Sequence, residues 1–357
     1  MIRISLKTLS VGLAASACLM SAPTLAAPIT IDMVTVGNPG NANDTTGYGA
    51  VAYAYQIGKY EVTIGQYTSF LNAADPNGTN PNGIYNSYMA TDLNIAGISY
   101  TSGASAGSKY AVISNGGDSS NRPITYVSWF DAARFSNWMT NGQGSGSTET
   151  GAYTLGNATT GPAVAVNAGA AFYIPTNDEW YKAAYFSPNY GGTGVPGYYD
   201  YPTGSDTPSD PGNIIGSGAN QANYAAGGVL SVTQSSSYSS TQNYLTDVGA
   251  FSGSGSFYGT FDQSGNVYQW NDLDGLASSG SSRGLRGGAW DTSNPFYLSS
   301  SYSDSVDPSI ENRPIGFRLA SPVVVPEPST YAMALAGLAC GAWQMWRRRC
   351  LRHTSNG

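Results

Sequence analysis

The chain has 357 residues, a formal net charge of −7 and only 10% charged residues. The acidic balance argues against a nucleic-acid partner, which needs a basic surface to displace counterions from phosphates. All three cysteines (Cys18, Cys340, Cys350) and the single histidine, His353, lie near the termini. The long segment between them therefore has no disulfide, no thiol nucleophile, and no imidazole for a metal centre or for Ser-His or Cys-His catalysis.

At the start, Arg3 and Lys7 precede an apolar stretch from Leu9 to Met20 that is short for a bilayer span, and Thr24-Leu25-Ala26 offers small residues for cleavage. This layout predicts a secretory signal peptide over 1–26. Cys18 as a lipidation site is the alternative, but Ala15-Ser16-Ala17 before it lacks the usual branched apolar residue.

Alternating apolar and polar residues predict a first strand over Ile29 to Val36 and a second over Ala52 to Ile57. Three capping boxes then announce helices, because a Ser/Thr hydroxyl and a residue three further on satisfy each other's free amides. Thr63 with Gln66 opens a helix carrying Tyr67, Phe70, Leu71 and Ala74. Ser128 with Asp131 opens one carrying Phe130, Arg134, Phe135, Trp138 and Met139. Thr176 with Glu179 opens a third, with Trp180, Ala183 and Ala184 turned inward. Stretches rich in Gly, Ser, Thr and Asn separate these elements at 101–121, 141–170, 187–222 and 231–245. Loops of that length need a functional or metal-supported reason to be ordered. No internal repeat or break in composition divides the segment, so it reads as one α+β domain, 29–321.

Beyond the domain, Val325-Pro326-Glu327-Pro328-Ser329-Thr330 is followed by an apolar run from Tyr331 to Trp346 and then by Arg347, Arg348 and Arg349. Arginines beside an apolar helix hold that side in the cytoplasm, because charge crosses hydrocarbon at high cost. Proline motif, apolar helix and arginine cluster in this order resemble the PEP-CTERM sorting tail, here over 325–350. The resemblance implies recognition by an exosortase-type sorting enzyme, membrane attachment through the C-terminal helix before processing, and delivery to the outer surface or extracellular matrix. An ordinary tail anchor is the plainer alternative, although the run is short for a full span.

Six short motifs run in order through the domain. They are Ile57-Gly58-Lys59-Tyr60-Glu61-Val62-Thr63, Arg122-Pro123-Ile124 with Val127-Ser128-Trp129-Phe130-Asp131-Ala132, and Ile174-Pro175-Thr176 with Glu179-Trp180. Gly265-Asn266-Val267-Tyr268-Gln269-Trp270, Arg286-Gly287-Gly288-Ala289-Trp290 and Gly316-Phe317-Arg318-Leu319-Ala320 complete the series. Together they resemble the formylglycine-generating enzyme, or sulfatase-modifying factor, family. The resemblance implies a single loop-rich C-type-lectin-like domain with short helices and twisted antiparallel strands. It further implies a copper-dependent oxidase using two cysteines, but Thr292 and Tyr297 stand at their positions and Ala289 replaces a serine near the oxygen site. A hydroxyl cannot replace a soft thiolate on copper(I), and the family's other enzymatic branch needs an iron-binding histidine trio. No copper or iron centre is expected.

The family's structural calcium sites map onto Asn223 with Tyr224 and Asn266 with Tyr268. Gln269 replaces the usual acidic residue of that motif, so calcium would find less charge here. Asparagines holding turns through their own side chains are the alternative. Asp272 and Asp274 as an acid–base pair are weighed against two solvated or calcium-linked aspartates on a polar turn.

With catalysis set aside, the segment between Arg286 and Arg318 is the most informative. Asp291, Thr292, Asn294, Phe296, Tyr297, Tyr302 and Asp304 mix aromatic faces with short polar groups, which suits recognition by stacking and hydrogen bonding. The same bracketing motifs resemble ligand-binding proteins whose variable residues occupy this segment. A noncatalytic surface or matrix module binding a polysaccharide or a surface protein is the leading expectation. Rival readings are an oxidase with an unconventional metal centre, a structural matrix component, or aromatics that merely pack beneath loops.

Overall fold

The computed structural model describes residues 28–162, 164–212, 218–272 and 282–323. The expected signal peptide, the sorting tail with Pro326, Glu327, Pro328, Arg347, Arg348 and Arg349, and Asp274 lie outside the described residues.

In chain order the elements are β1 (Met33–Val36), β2 (Tyr55–Gly58), α1 (Ile64–Ala74), α2 (Tyr88–Thr91), β3 (Ile98–Tyr100), β4 (Tyr110–Val112), α3 (Trp129–Thr140) and α4 (Asn177–Tyr185). They continue with β5 (Phe186–Ser187), β6 (Gly197–Tyr198), β7 (Asp210–Pro211), β8 (Gln221–Ala222), β9 (Tyr268–Trp270), β10 (Arg283–Arg286), β11 (Asp304–Val306), β12 (Ile315–Gly316) and β13 (Ala320–Pro322). This is the expected α+β domain of short helices and small sheets.

All three capping boxes form where the sequence places them. Thr63, Ser128 and Thr176 each accept from the backbone amide three residues on, at 3.3, 3.1 and 3.1 Å. Gln66, Asp131 and Glu179 reach back to the cap amides at 2.8, 2.9 and 2.9 Å. α1 and α3 meet through aromatics: Tyr67 stacks on Phe135 at 6.0 Å, Phe70 meets it edge-on at 5.4 Å, and Phe317 closes on it from the C-terminal motif. Burying each such ring is worth about 1.5–3 kcal/mol. Arg134, predicted on this helix, is fully buried and pairs with Glu149 at 2.8 Å.

The first strand is shorter than its alternation predicts. Its partner β2 ends at Gly58, opposite Met33, and the Ile29 amide and carbonyl instead engage the Gln143 side chain, at 2.8 Å each. β1, β2 and β13 form one sheet that joins the two ends of the domain. The second sheet has the order β11-β10-β9-β12. Its β9–β12 pair is parallel, as is β7–β8, so the sheets are not wholly antiparallel. β9, β10 and β11 present the segment singled out by sequence.

Candidate functional site

Arg286 ends β10 and sets the frame. Its Nε donates to Asn177 Oδ1 at 2.6 Å and one Nη donates to the Tyr302 carbonyl at 2.6 Å, while the guanidinium lies 5.0 and 4.9 Å from the rings of Tyr48 and Tyr181. A planar fork can tie a helix start to a returning loop in this way; a lysine cannot. Gly288 follows with φ of 71°, and a Cβ there would stand 2.9 Å from Leu298 Cδ1. The glycine lets the chain turn tightly over the buried Leu298.

Thr292, expected to face ligand, does not. It is 7% exposed; its Oγ1 accepts the Ala289 amide at 2.9 Å and its carbonyl accepts the Ala225 amide at 2.9 Å. A hydroxyl so engaged fixes the turn. Asn294 also has a local task, accepting the Phe296 amide at 3.0 Å and opening a single 3₁₀ turn over Pro295–Leu298.

That turn puts Phe296 and Tyr297 on the surface, 49% and 38% exposed. Both meet Tyr302 edge-on, with ring centres 5.7 and 4.7 Å away. The Tyr302 hydroxyl donates to Asp304 Oδ2 at 3.3 Å. Burial and the Asp304 carboxylate push the Tyr302 phenol above its ordinary range. Tyr268 on β9 joins this ledge: burial raises its phenol, and the charges of Asp291 and Asp304 act in the same direction. Of the sequence-predicted ligand residues, Asp291, Phe296, Tyr297, Tyr302 and Asp304 thus gather on one surface, whereas Thr292 lies beneath it.

Four tyrosines that sequence reasoning missed are linked to this segment through Trp290 and Arg313. Tyr244 stacks on Trp290, and Tyr238 stacks on Tyr244 at 5.8 Å. Arg313 lies 5.3 Å from the Trp290 ring and forks onto Asp92 at 2.7 and 3.0 Å. Asp92 also accepts from Tyr126 at 2.7 Å, and Tyr126 carries the exposed Tyr88 stacked at 5.4 Å. Tyr126 has φ of 58°, rare for a bulky residue and a mark of locally imposed strain. Aromatic content was the only signal in the sequence, since Asp92 meets Tyr126 and Arg313 from 34 and 221 positions away.

Residues 35–323 match the sulfatase-modifying factor enzyme 1-like domain. The chain belongs to this family. Among solved structures it is similar to Treponema denticola variable protein 1 (19% identity, 81% of this chain and 94% of that chain, TM-score 0.45). It is also similar to CarF (21%, 82% and 99%, TM-score 0.44) and to PvdO from Pseudomonas aeruginosa (18%, 82% and 92%, TM-score 0.40). No curated protein is matched.

The family motifs of this sulfatase-modifying factor domain converge on a buried polar knot. Gln269 Oε1 accepts from Arg318 Nε at 2.6 Å and from Trp180 Nε1 at 2.7 Å, while its amide donates to the Asp262 carbonyl at 2.8 Å and to Glu61 at 3.3 Å. Arg318 also donates to the Gly58 and Phe261 carbonyls at 2.8 and 2.7 Å. Burial, then the nearby Asp262, holds the Glu61 carboxyl well above the usual carboxylate range, against the pull of Arg318. Burial pushes Asp262 up to about 6.

The residue types at the expected copper positions do not fit copper(I), and part of the calcium motif is engaged within the protein. At the two positions where the resemblance expects thiolates, copper(I) would find a buried threonine hydroxyl bonded to Ala289 and a surface tyrosine. At the calcium motif, Asn223 Nδ2 donates to the Tyr244 carbonyl at 2.9 Å and to Asn266 Oδ1 at 3.0 Å, and that oxygen also accepts the Thr246 amide at 3.2 Å. The Asn266 side-chain oxygen is thus taken by two protein donors, whereas calcium needs a cage of six or more oxygens. The Tyr224 hydroxyl is likewise occupied, by the Ser209 carbonyl. Among the described residues no cluster of three or more Asp, Glu, His or Cys could hold a metal ion. Asp272 accepts the first amide of α4, from Asn177, at 2.7 Å, a helix-capping task.

Proposed function

We propose that this sulfatase-modifying factor domain is a noncatalytic recognition module that binds a surface or matrix glycan through its aromatic ledge. The observation that carries the reading is the ledge itself: Phe296 and Tyr297 exposed on a one-turn helix, meeting Tyr302 edge-on and flanked by Asp304. Rings held by an arginine-braced frame lose little entropy on stacking against a sugar, and a carboxylate beside them accepts hydroxyl hydrogen bonds. The lack of cysteine and histidine among the described residues and the poor fit to copper support binding over oxidation.

Export accompanies this reading. A signal peptide over 1–26 and a PEP-CTERM tail over 325–350 would bring the chain to an exosortase-type enzyme, with the C-terminal helix in the membrane until processing. The destination is the outer surface or the extracellular matrix. Among the described residues no helix is long and apolar enough to cross a membrane.

The test is saturable binding of the purified protein to the producing organism's own extracellular polysaccharide. Loss of one stacking ring in Tyr297→Ala is expected to weaken binding at least about tenfold, the scale of a modest hot spot. Saturable binding that is indifferent to both Tyr297→Ala and Tyr302→Ala would reject the ledge. Binding only to a surface protein would change the ligand class, and copper-dependent oxidation of a cysteine peptide would overturn the noncatalytic reading.

A further inference from the structure

A cleft of about 820 Å³, lined by none of the ledge residues, opens between the loop 38–46 and the turn 188–197, with Ser300 and Ser301 also in its lining. Its size lies within the range of small-molecule sites. Its two walls are directly bonded although far apart in sequence. The Asn41 amide donates to the Gly49 carbonyl at 2.7 Å and to the Tyr198 hydroxyl at 2.6 Å, and that hydroxyl donates to the Ala42 carbonyl at 2.7 Å. Asp44 accepts the Tyr181 hydroxyl, and Ser300 donates its amide to the Asp200 carbonyl at 2.8 Å. The cleft is therefore preformed and need not be ordered at the moment of binding.

Tyr190 supplies a platform. Its ring lies on the Gly197 backbone so closely that a Cβ there would stand 2.4 Å from Tyr190 Cδ1. Tyr199 packs against it at 5.0 Å, its hydroxyl donates to Asp206 at 3.1 Å, and it remains 41% exposed. Around this ring the lining offers amides, hydroxyls and the carboxylates of Asp44 and Asp200, and it includes no lysine or arginine. The nearby cations are buried and engaged, Arg286 with the Tyr302 carbonyl and Lys182 with the Asn38 carbonyl at 2.8 Å. Such a lining stacks on and accepts from a hydroxyl-rich chain, and like charge disfavours a ligand with carboxylates or sulfates.

We propose that this cleft is a second binding site, for an uncharged oligosaccharide, separate from the aromatic ledge. It does not depend on what the ledge binds. The experiment is calorimetric titration of the full chain with the neutral hexasaccharides of the cello-, malto- and manno- series, and with hexagalacturonate as the anionic counterpart. At least one neutral chain is expected to bind, and hexagalacturonate at least tenfold more weakly. Tyr190→Ala should weaken neutral binding at least tenfold, and Tyr297→Ala should change it less than twofold. Ser301→Trp, which places a bulky ring at an exposed lining position and leaves Tyr190 itself unchanged, should abolish binding even if Tyr190→Ala disturbs folding. Failure of all three neutral probes, preference for hexagalacturonate, or indifference to Ser301→Trp would each overturn the proposal. Loss on Tyr297→Ala alone would assign the binding to the ledge instead.

Discussion

The indole of Trp290 lies flat on the ring of Tyr244, with centres 4.8 Å apart and planes 7° from parallel. Tyr244 is 1% exposed and its hydroxyl accepts the Ser239 amide at 2.8 Å, so this stack ties the 231–245 loop to the turn that starts the recognition segment.

Truncating the stack should leave a cavity that the neighbours cannot fill. Tyr244→Ala is expected to cost about 3–5 kcal/mol, and Tyr244→Phe, which loses only the hydroxyl bond, about 1 kcal/mol. Equilibrium unfolding in urea measures both, and equal costs for the two variants would count against the stack.

Arg318 satisfies Gln269 and two carbonyls at once and faces the buried Glu61. Lysine keeps the charge but cannot reproduce that fork. Arg318→Lys is therefore expected to lose about 3 kcal/mol, since acceptors are left buried without donors. A denaturation midpoint within error of the parent would contradict this.

Asp131 is buried at the start of α3, and burial, then the Glu311 charge, pushes its carboxyl up to about 7 against its hydrogen bonds from Ser128. A folded pKa above the unfolded value means that the stability contribution is intact below about pH 4 and is lost as pH rises through about 7. Burial raises Glu61 and Asp262 as well, so they act in the same sense. The domain should unfold at lower urea concentration at pH 8 than at pH 5. Asp131→Asn, which keeps an oxygen for Ser128, should narrow that gap by stabilising the pH 8 state. An unchanged gap would remove Asp131 from the account.

Thr292 and Tyr297, the two residues at which the family resemblance expects cysteines, should separate by phenotype. Thr292→Val leaves the Ala289 amide without its acceptor and is expected to cost about 1–3 kcal/mol of stability. Tyr297→Ala, at an exposed ring, should change stability by less than about 0.5 kcal/mol while weakening ligand. Thermal unfolding alongside polysaccharide binding distinguishes them.

Chelation offers a last check. Because the Asn266 side-chain oxygen is taken by the N–H groups of Asn223 and Thr246, excess EDTA should leave the unfolding midpoint unmoved. A calcium-dependent rise in that midpoint would show that these side chains rearrange around a cation.

Local chemistry carried much of this protein into its sequence. Thr63 with Gln66, Ser128 with Asp131 and Thr176 with Glu179 are separated by only three residues, so each helix start could be read directly. The ordered motifs pointed to the family, and residue type alone removed thiol and imidazole chemistry from the domain. Tertiary structure decided what depends on distant partners. Thr292 lies beneath the surface because Ala225 and Ala289 hold it there, and the first strand stops where β2 stops. The strained Tyr126, the Tyr244–Trp290 stack and the cleft between 38–46 and 188–197 have no short-range signature, because each is made by segments that only the packed core brings together.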